Sequence, residues 1–374
     1  MRLTDSRCVL HKRLPDRRLA SRLVSIRPHR PSQPTLKQLA ARAGVHASTV
    51  SRVANRDPAL RIAPATRERI ESLLRETQYR PNGIARSLKL RHTFVLGVVV
   101  PDVTNPFFAS MYRGIEDAAL PSGYSVVLCN TDGSPERERA QLQMLLERRV
   151  DGFILASAYL NDANVRRLRS EGIPHVLVNR YSDEREDAFV GSDDLAGARM
   201  ATEHLISLGH TRIGHLCGPR TISTSALRLR GYQAALTTGG LAFDPQLVVE
   251  SGYREEGGQR AAERLLRLPP DRRPSAIYAI NDLAALGVYS ATRRLGLRIP
   301  QDVAVAGYND ITDAGRLDPP LTTIQVPVLE MGVVAAGILI EQVETGLLSS
   351  RRVVFVPQLV IRGSTVVDTA AARA

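Results

Sequence analysis

From position 35 onward the apolar residues follow two successive registers. In the first, Leu36, Leu39, Ala40 and Ala43 recur at helical spacing behind Thr35, which can cap the opening turn. A second short helix is predicted over 46–55 and a third over 64–77, where Pro64 suits the first turn and Ile70, Leu73 and Leu74 face inward. Pro81 interrupts the chain, and a fourth helical segment over 82–90 carries Ile84, Ala85 and Leu88 on one side. Beyond His92 the second register begins. Unbroken apolar runs at 94–100, 125–129, 152–156 and 175–178 alternate with helical stretches, and the theme returns at 212–217, 276–280 and 303–307. Buried runs separated by helices predict parallel sheets covered on both faces. Two similar βαβ lobes pack a segment of this length more economically than one long sheet. The fold class is therefore α/β, with an all-α head followed by a two-lobed parallel-sheet body.

Composition narrows the class without naming it. With 374 residues, 43% of them hydrophobic and 24% charged, the chain suits two or three packed units of a globular protein. No apolar run reaches the roughly 18 residues a membrane span requires, and the Arg-rich start lacks the apolar stretch of a secretory signal. A cytoplasmic protein with no membrane partner is expected. Cys8, Cys129 and Cys217 are too few and too scattered for a disulfide framework or a zinc site. No Walker loop, HExxH, GxSxG or strand-borne GxGxxG occurs, so neither an enzyme nor a bound metal or cofactor is expected.

Charge becomes informative once it is placed along the chain. The formal net charge is +12, yet residues 1–92 hold 21 Lys and Arg against 6 Asp and Glu, which leaves −3 for the remainder. One end is built to meet a polyanion, and neutralising phosphates supplies affinity that falls steeply with salt. Residues 1–34, rich in Arg, Pro and Ser, read as a disordered basic extension. The segment 36–53 carries the reader. Ala40 is small where two helices cross, Gly44 sits where a tight turn favours positive φ, and Val50 is apolar where the second helix packs back on the first. These are the constraints of a helix-turn-helix. Its second helix presents His46, Ala47, Ser48 and Arg52. The planar fork of Arg52 suits a guanine edge, while His46 is expected to cap the helix or touch phosphate.

These residues, together with TVSRV at 49–53, YRPN at 79–82, ARSL at 85–88, PDVTNPFF at 101–108, GYND at 307–310 and PPLTT at 319–323, make the chain resemble the lactose repressor (LacI/GalR) family of transcription regulators from Thr35 to about Thr365. The resemblance implies a DNA-binding domain over 35–80, a hinge helix and linker over 81–92, an effector-binding and dimerisation body over 93–365 similar to periplasmic sugar-binding proteins, and a tail over 366–374. It implies that Ala47, Ser48 and Arg52 read bases, with Thr35, His46, Thr49 and Asn55 as further DNA contacts. It also implies that Asn82, Ala85 and Leu88 belong to a hinge helix in the minor groove, where Leu88 wedges into a base step and bends the operator. The chain departs from the family pattern at His46, where Ser or Thr is usual. It departs again in the longer stretch 56–62, at Ala63 in place of a polar cap, and at Gly83, which costs up to about 1 kcal/mol in a helix.

A pocket is expected between the lobes, at the carboxyl ends of parallel strands. Phe107 and Phe108 follow a strand directly and can stack on a flat ring or simply pack the core; the resemblance implies the former, and adds Tyr253. By the same route Asn179, Arg228, Asn281 and Asn309 form a polar clamp for vicinal hydroxyls or a carboxylate. Many similar proteins carry aspartate where Asn309 stands. Losing that charge while keeping Arg228, with Arg180 nearby in sequence, favours a sugar acid, a phosphorylated sugar or a similar carboxylate. The expected protein is thus a repressor whose grip on a near-palindromic double-stranded operator, as a homodimer, is controlled by a sugar or sugar-acid effector. The lack of a Leu-heptad tail after residue 363 argues against a tetramer. A transport solute-binding protein, or a sugar-modifying enzyme with a DNA-binding head, is the alternative.

Overall fold

The computed structural model describes residues 34–55, 57, 59–79 and 92–366, and the chain falls into two compact units divided between Arg86 and Ser87. The expectations for residues 1–33, for the hinge segment with Asn82, Ala85 and Leu88, and for the tail beyond 366 lie outside the described residues.

Local chemistry sets the helices of the first unit: α1 (Leu36–Ala43), α2 (Ala47–Ala54) and α3 (Pro64–Glu76). Thr35 and Gln38 form a reciprocal capping box at the start of α1. Gly44 ends that helix in the left-handed region, at φ 61°, where a side chain would be strained. His46 caps α2 by accepting the Ser48 amide on Nδ1, and α3 opens on Pro64 with no side-chain cap from Ala63. Leu39, Ala40 and Ala43 from α1, Val50 and Val53 from α2, Ile70 from α3 and the loop residue Leu60 close a small apolar core.

In the second unit, β1 (Val95–Val100), β2 (Ser125–Asn130), β3 (Gly152–Leu155), β4 (His175–Val178), β5 (Ala188–Ser192) and β11 (Arg352–Phe355) build one parallel sheet, ordered β11-β5-β4-β3-β1-β2. A second parallel sheet takes β6 (Ile213–Cys217), β7 (Val248–Glu250), β8 (Ala276–Ala279) and β9 (Ala304–Ala306) in the order β7-β6-β8-β9. A short antiparallel pair joins β10 (Thr323–Gln325) to β12 (Gln358–Val360). Helices α4 (Pro106–Ala119), α5 (Pro135–Glu147), α6 (Ala163–Ser170) and α11 (Val328–Thr345) cover the first sheet; α7 (Asp194–Ser207), α8 (Ser223–Thr238), α9 (Glu255–Leu266) and α10 (Asp282–Leu295) cover the second.

The apolar runs read from the sequence become β1 to β4, β6, β8 and β9, whereas five strands were not foreseen. Three of these, β7, β10 and β12, have only three residues each, too few for a pattern to register, and β11 mixes Arg352 with half-exposed neighbours. The fifth, β5, is buried throughout but short and broken by Gly191. The chain passes between the lobes three times, at Asp193, at Val326 and at residues 356–357, and the Asp193 amide donates to the Phe355 carbonyl at 3.0 Å, tying the first passage to the third.

Within the first lobe α4 and α11 cross at reciprocal glycines. A Cβ on Gly114 would stand 2.1 Å from the Leu329 carbonyl oxygen, and one on Gly332 would stand 2.3 Å from that of Met111. Backbone meets backbone here, so neither side can yield by changing a rotamer. Gly114→Ala should therefore destabilise the protein by roughly 1–3 kcal/mol. Thermal unfolding of the variant checks this, and an unchanged midpoint would contradict the tight crossing.

Candidate functional site

The carboxyl ends of both parallel sheets face a cavity of about 370 Å³, a volume suited to a small ligand. The first lobe contributes the loops after β1, β2, β3 and β4; the second contributes the loops after β6, β7, β8 and β9. The structure brings Phe107, Phe108, Asn179, Arg228, Tyr253, Asn281 and Asn309, all selected from the sequence, into the lining of this one cavity. The two phenylalanines pack edge to face with ring centroids 5.2 Å apart, at the start of a helix that Asn105 caps by accepting the Phe107 amide.

The polar residues divide by what they are already doing. Arg228 is already partnered: it pairs with Asp194 at 2.8 Å, donates through Nη1 to the Ile280 carbonyl at 2.6 Å, and lies with its guanidinium carbon 3.6 Å from the centre of the Tyr308 ring. Burial works most strongly against its charge, but the Asp194 carboxylate together with the surrounding tyrosines Tyr308, Tyr278 and Tyr253 raises its pKa. Asn281 is likewise occupied, because its Oδ1 caps α10 by accepting the Ala284 amide while its Nδ2 donates to the Tyr253 carbonyl at 3.0 Å. Asn179 and Asn309 both adopt positive φ, 64° and 112°, at the ends of strands. The Asn309 Oδ1 is enclosed without a hydrogen-bond donor.

Three residues that sequence reasoning passed over, or only mentioned, matter as much. Arg180 lines the cavity at 5% exposure, with its guanidinium carbon 5.2 Å from the Tyr253 ring centre. Asp102 from the first lobe and Arg254 from the second form a 2.8 Å ion pair across the cavity's rim. The lobes also meet where the Leu160 amide donates to the Thr221 carbonyl at 2.9 Å and the Tyr181 amide donates to the Ser223 hydroxyl at 3.0 Å. The one sequence signal for Arg180 was its position directly after Asn179, at the end of a strand. Nothing in the sequence paired Asp102 with Arg254, which lie far apart along the chain.

The first unit presents a different surface. On α2, Ser48 and Arg52 are exposed and Ala47 and Thr49 half-buried, while Val50 and Val53 hold the helix to its core. The Ser48 hydroxyl lies 2.8 Å from His46 Nδ1, and Arg52 donates through Nε to Asp57 at 2.7 Å. That bond holds the Asp57 carboxyl below its ordinary range, and among the described residues the terminal nitrogens of Arg52 make no hydrogen bond. Asn55 closes the helix by donating to the Ser51 carbonyl, and Thr35 is committed to its cap. Among the described residues no helix is long and apolar enough to cross a membrane, and no cluster of side chains could hold a metal ion.

Comparison with known proteins gives this pair of surfaces a context. Residues 35–82 match the family described as "Bacterial regulatory proteins, lacI family", and residues 93–360 match "Periplasmic binding proteins and sugar binding domain of LacI family". The chain belongs to the LacI family of regulatory proteins. Among its relatives, the ribose operon repressor of Escherichia coli K12 is 37% identical, over 88% of this chain and 99% of that repressor. A structure of the Lac repressor dimer bound to operator and the anti-inducer ONPF is similar at a TM-score of 0.80 and 28% identity, over 90% of this chain and 100% of that one. The complex of the regulator CelR with cellobiose is similar at a TM-score of 0.68 and 32% identity, over 88% and 99%.

In this LacI-family chain the Arg228–Asp194 pair forms the floor of the cleft. Arg228→Met strands a buried carboxylate and should cost roughly 3–5 kcal/mol, whereas the double variant R228M/D194L should recover most of that loss. Denaturant unfolding of the wild type, R228M, D194L and the double variant decides the matter. A double variant as unstable as the two single changes combined would mean that the two residues act separately.

Proposed function

We propose that the protein is a sequence-specific transcriptional repressor that binds a near-palindromic operator as a homodimer and releases or tightens its grip when a small molecule, of the sugar or sugar-acid class, occupies the cleft. The observation that carries this reading is the composition of the cavity wall. Both lobes line it, and an ion pair already spans its rim, so a ligand makes different contacts in closed and open lobe arrangements. Only such a difference in affinity lets a ligand move a conformational equilibrium. Relatives named for a ribose operon, a lac operator and bound cellobiose support the same reading.

The body by itself would serve a transport solute-binding protein equally well. Residues 35–82 favour the regulator, because a helix-turn-helix with an exposed Arg52 has no part in solute transport. On this reading the protein works in the cytoplasm beside its operator and leaves its ligand chemically unchanged, which incubation of a bound ligand followed by product analysis checks. Two recognition helices on one two-fold axis read half-sites about one helical turn apart.

Mapping of protein-bound DNA across the genome should return a small set of near-palindromic sites; enrichment no better than for random DNA would overturn the proposal. With a site in hand, Arg52→Ala should reduce discrimination at one base position by roughly 1–3 kcal/mol and change general DNA affinity much less. Equal loss on every sequence would assign Arg52 to phosphate alone.

A further inference from the structure

The cleft contains one buried charge that the protein does not balance. Elsewhere around the cavity the charges are matched: Arg228 with Asp194, Arg254 with Asp102, and Asp132 with Arg137. Glu256 and Arg260, also in the lining, are exposed and opposite in sign. Arg180 stands apart. It is 5% exposed, no hydrogen bond or ion pair to its side chain is recorded among the described residues, and its Nε is enclosed with no acceptor in reach. Its guanidinium carbon lies 5.2 Å from the centre of the Tyr253 ring, which attracts a cation but accepts no N–H bond along the guanidinium plane.

The surroundings offer no hidden counter-ion. The acid that acts on Arg180 from its own lobe is Glu138 on α5, which is itself buried and accepts from Asn164 at 3.1 Å. Burial pushes the Glu138 carboxyl up, as it does that of Asp194, but unlike Asp194 with Arg228, Glu138 makes no ion pair with Arg180 among the described residues. Arg228 adds repulsion from the second lobe, and burial pulls the Arg180 pKa below its ordinary value. The neighbouring side chains Asn179 and Asn309 are amides and bring no negative charge. A guanidinium held in this way carries a desolvation penalty that is offset only when an anionic acceptor arrives. Asn309 complements it, since its enclosed Oδ1 lacks a donor and a ligand hydroxyl would supply one.

We infer that the effector carries an anionic oxygen group, a carboxylate or a phosphate, on a polyhydroxylated frame. The anion docks on Arg180, a hydroxyl donates to Asn309, and the frame lies against Phe107 and Phe108. This inference rests on the cleft being the effector site. It also relocates the anion-accepting charge from Arg228, which Asp194 neutralises, to Arg180.

The test is titration calorimetry of the full-length protein with matched pairs: D-gluconate and D-glucuronate against D-glucose, and D-ribose 5-phosphate against D-ribose. Inorganic phosphate serves as the bare anion. At least one anionic compound should bind about tenfold or more tightly than its neutral parent, and whether that compound is a carboxylate or a phosphate identifies the group. Arg180→Gln should erase the preference, while Arg180→Lys should keep part of it. Without ligand, Arg180→Met should melt no earlier than the wild type, because it removes an unpaired buried charge; a clearly lower midpoint would make Arg180 a structural residue and overturn the inference. A neutral sugar that binds more tightly than its anionic partner would also overturn it, while leaving the cleft as the effector site. Failure of every compound to bind or to alter DNA affinity would remove both claims.

Discussion

Three passages of the chain between two sheets constrain everything the second unit can do. Asp193, Val326 and residues 356–357 join the lobes at one edge, and the bond from the Asp193 amide to Phe355 binds two of these passages together. Joined in this way, the lobes are left with opening and closing about that edge as their main freedom. The loops that line the cavity lie at the carboxyl ends of the strands of both sheets. Occupancy of the cavity and arrangement of the lobes are therefore one equilibrium, and the Asp102–Arg254 ion pair and the Leu160 and Tyr181 amide bonds are the protein's own contribution to the closed side.

The first unit rests on a smaller constraint. Gly44 turns the chain between α1 and α2, and Thr35 and His46 fix where each helix begins, so the exposed face of α2 is set by backbone geometry before any partner is met. His46 does two jobs there, since the nitrogen that caps α2 also meets the Ser48 hydroxyl. Among the described residues Arg52 is held by Asp57 through Nε, which orients the guanidinium and turns its two terminal nitrogens to a base or a phosphate.

Much of this was legible in the sequence, for identifiable reasons. The helix-turn-helix was legible because Ala40, Gly44 and Val50 each answer a local demand of a tight two-helix crossing. The sheets were legible because strands buried on both faces are written as unbroken apolar runs. The short strands β7, β10 and β12 were not, because pairing with neighbours, not their own three residues, defines them. The cavity's residues could be chosen from family resemblance, but their tasks could not. Which arginine receives Asp194 is decided by packing between α7 and α8, whereas the sequence reading placed Arg228 in the clamp and noted Arg180 only as its neighbour in charge. Asn281 was expected in a ligand clamp; it lines the cavity, and its amide also caps a helix and holds the Tyr253 loop, tasks the sequence did not show.

In the repressor proposed above, the cleft and the DNA-reading surface share one free energy. Once a ligand and an operator are in hand, the most direct measurement is the ligand's dissociation constant for the free protein and for the protein saturated with operator. The two constants should differ, and operator affinity should change by the same factor when ligand is added, as thermodynamic linkage requires. Equal ligand affinity in both states would contradict the coupling.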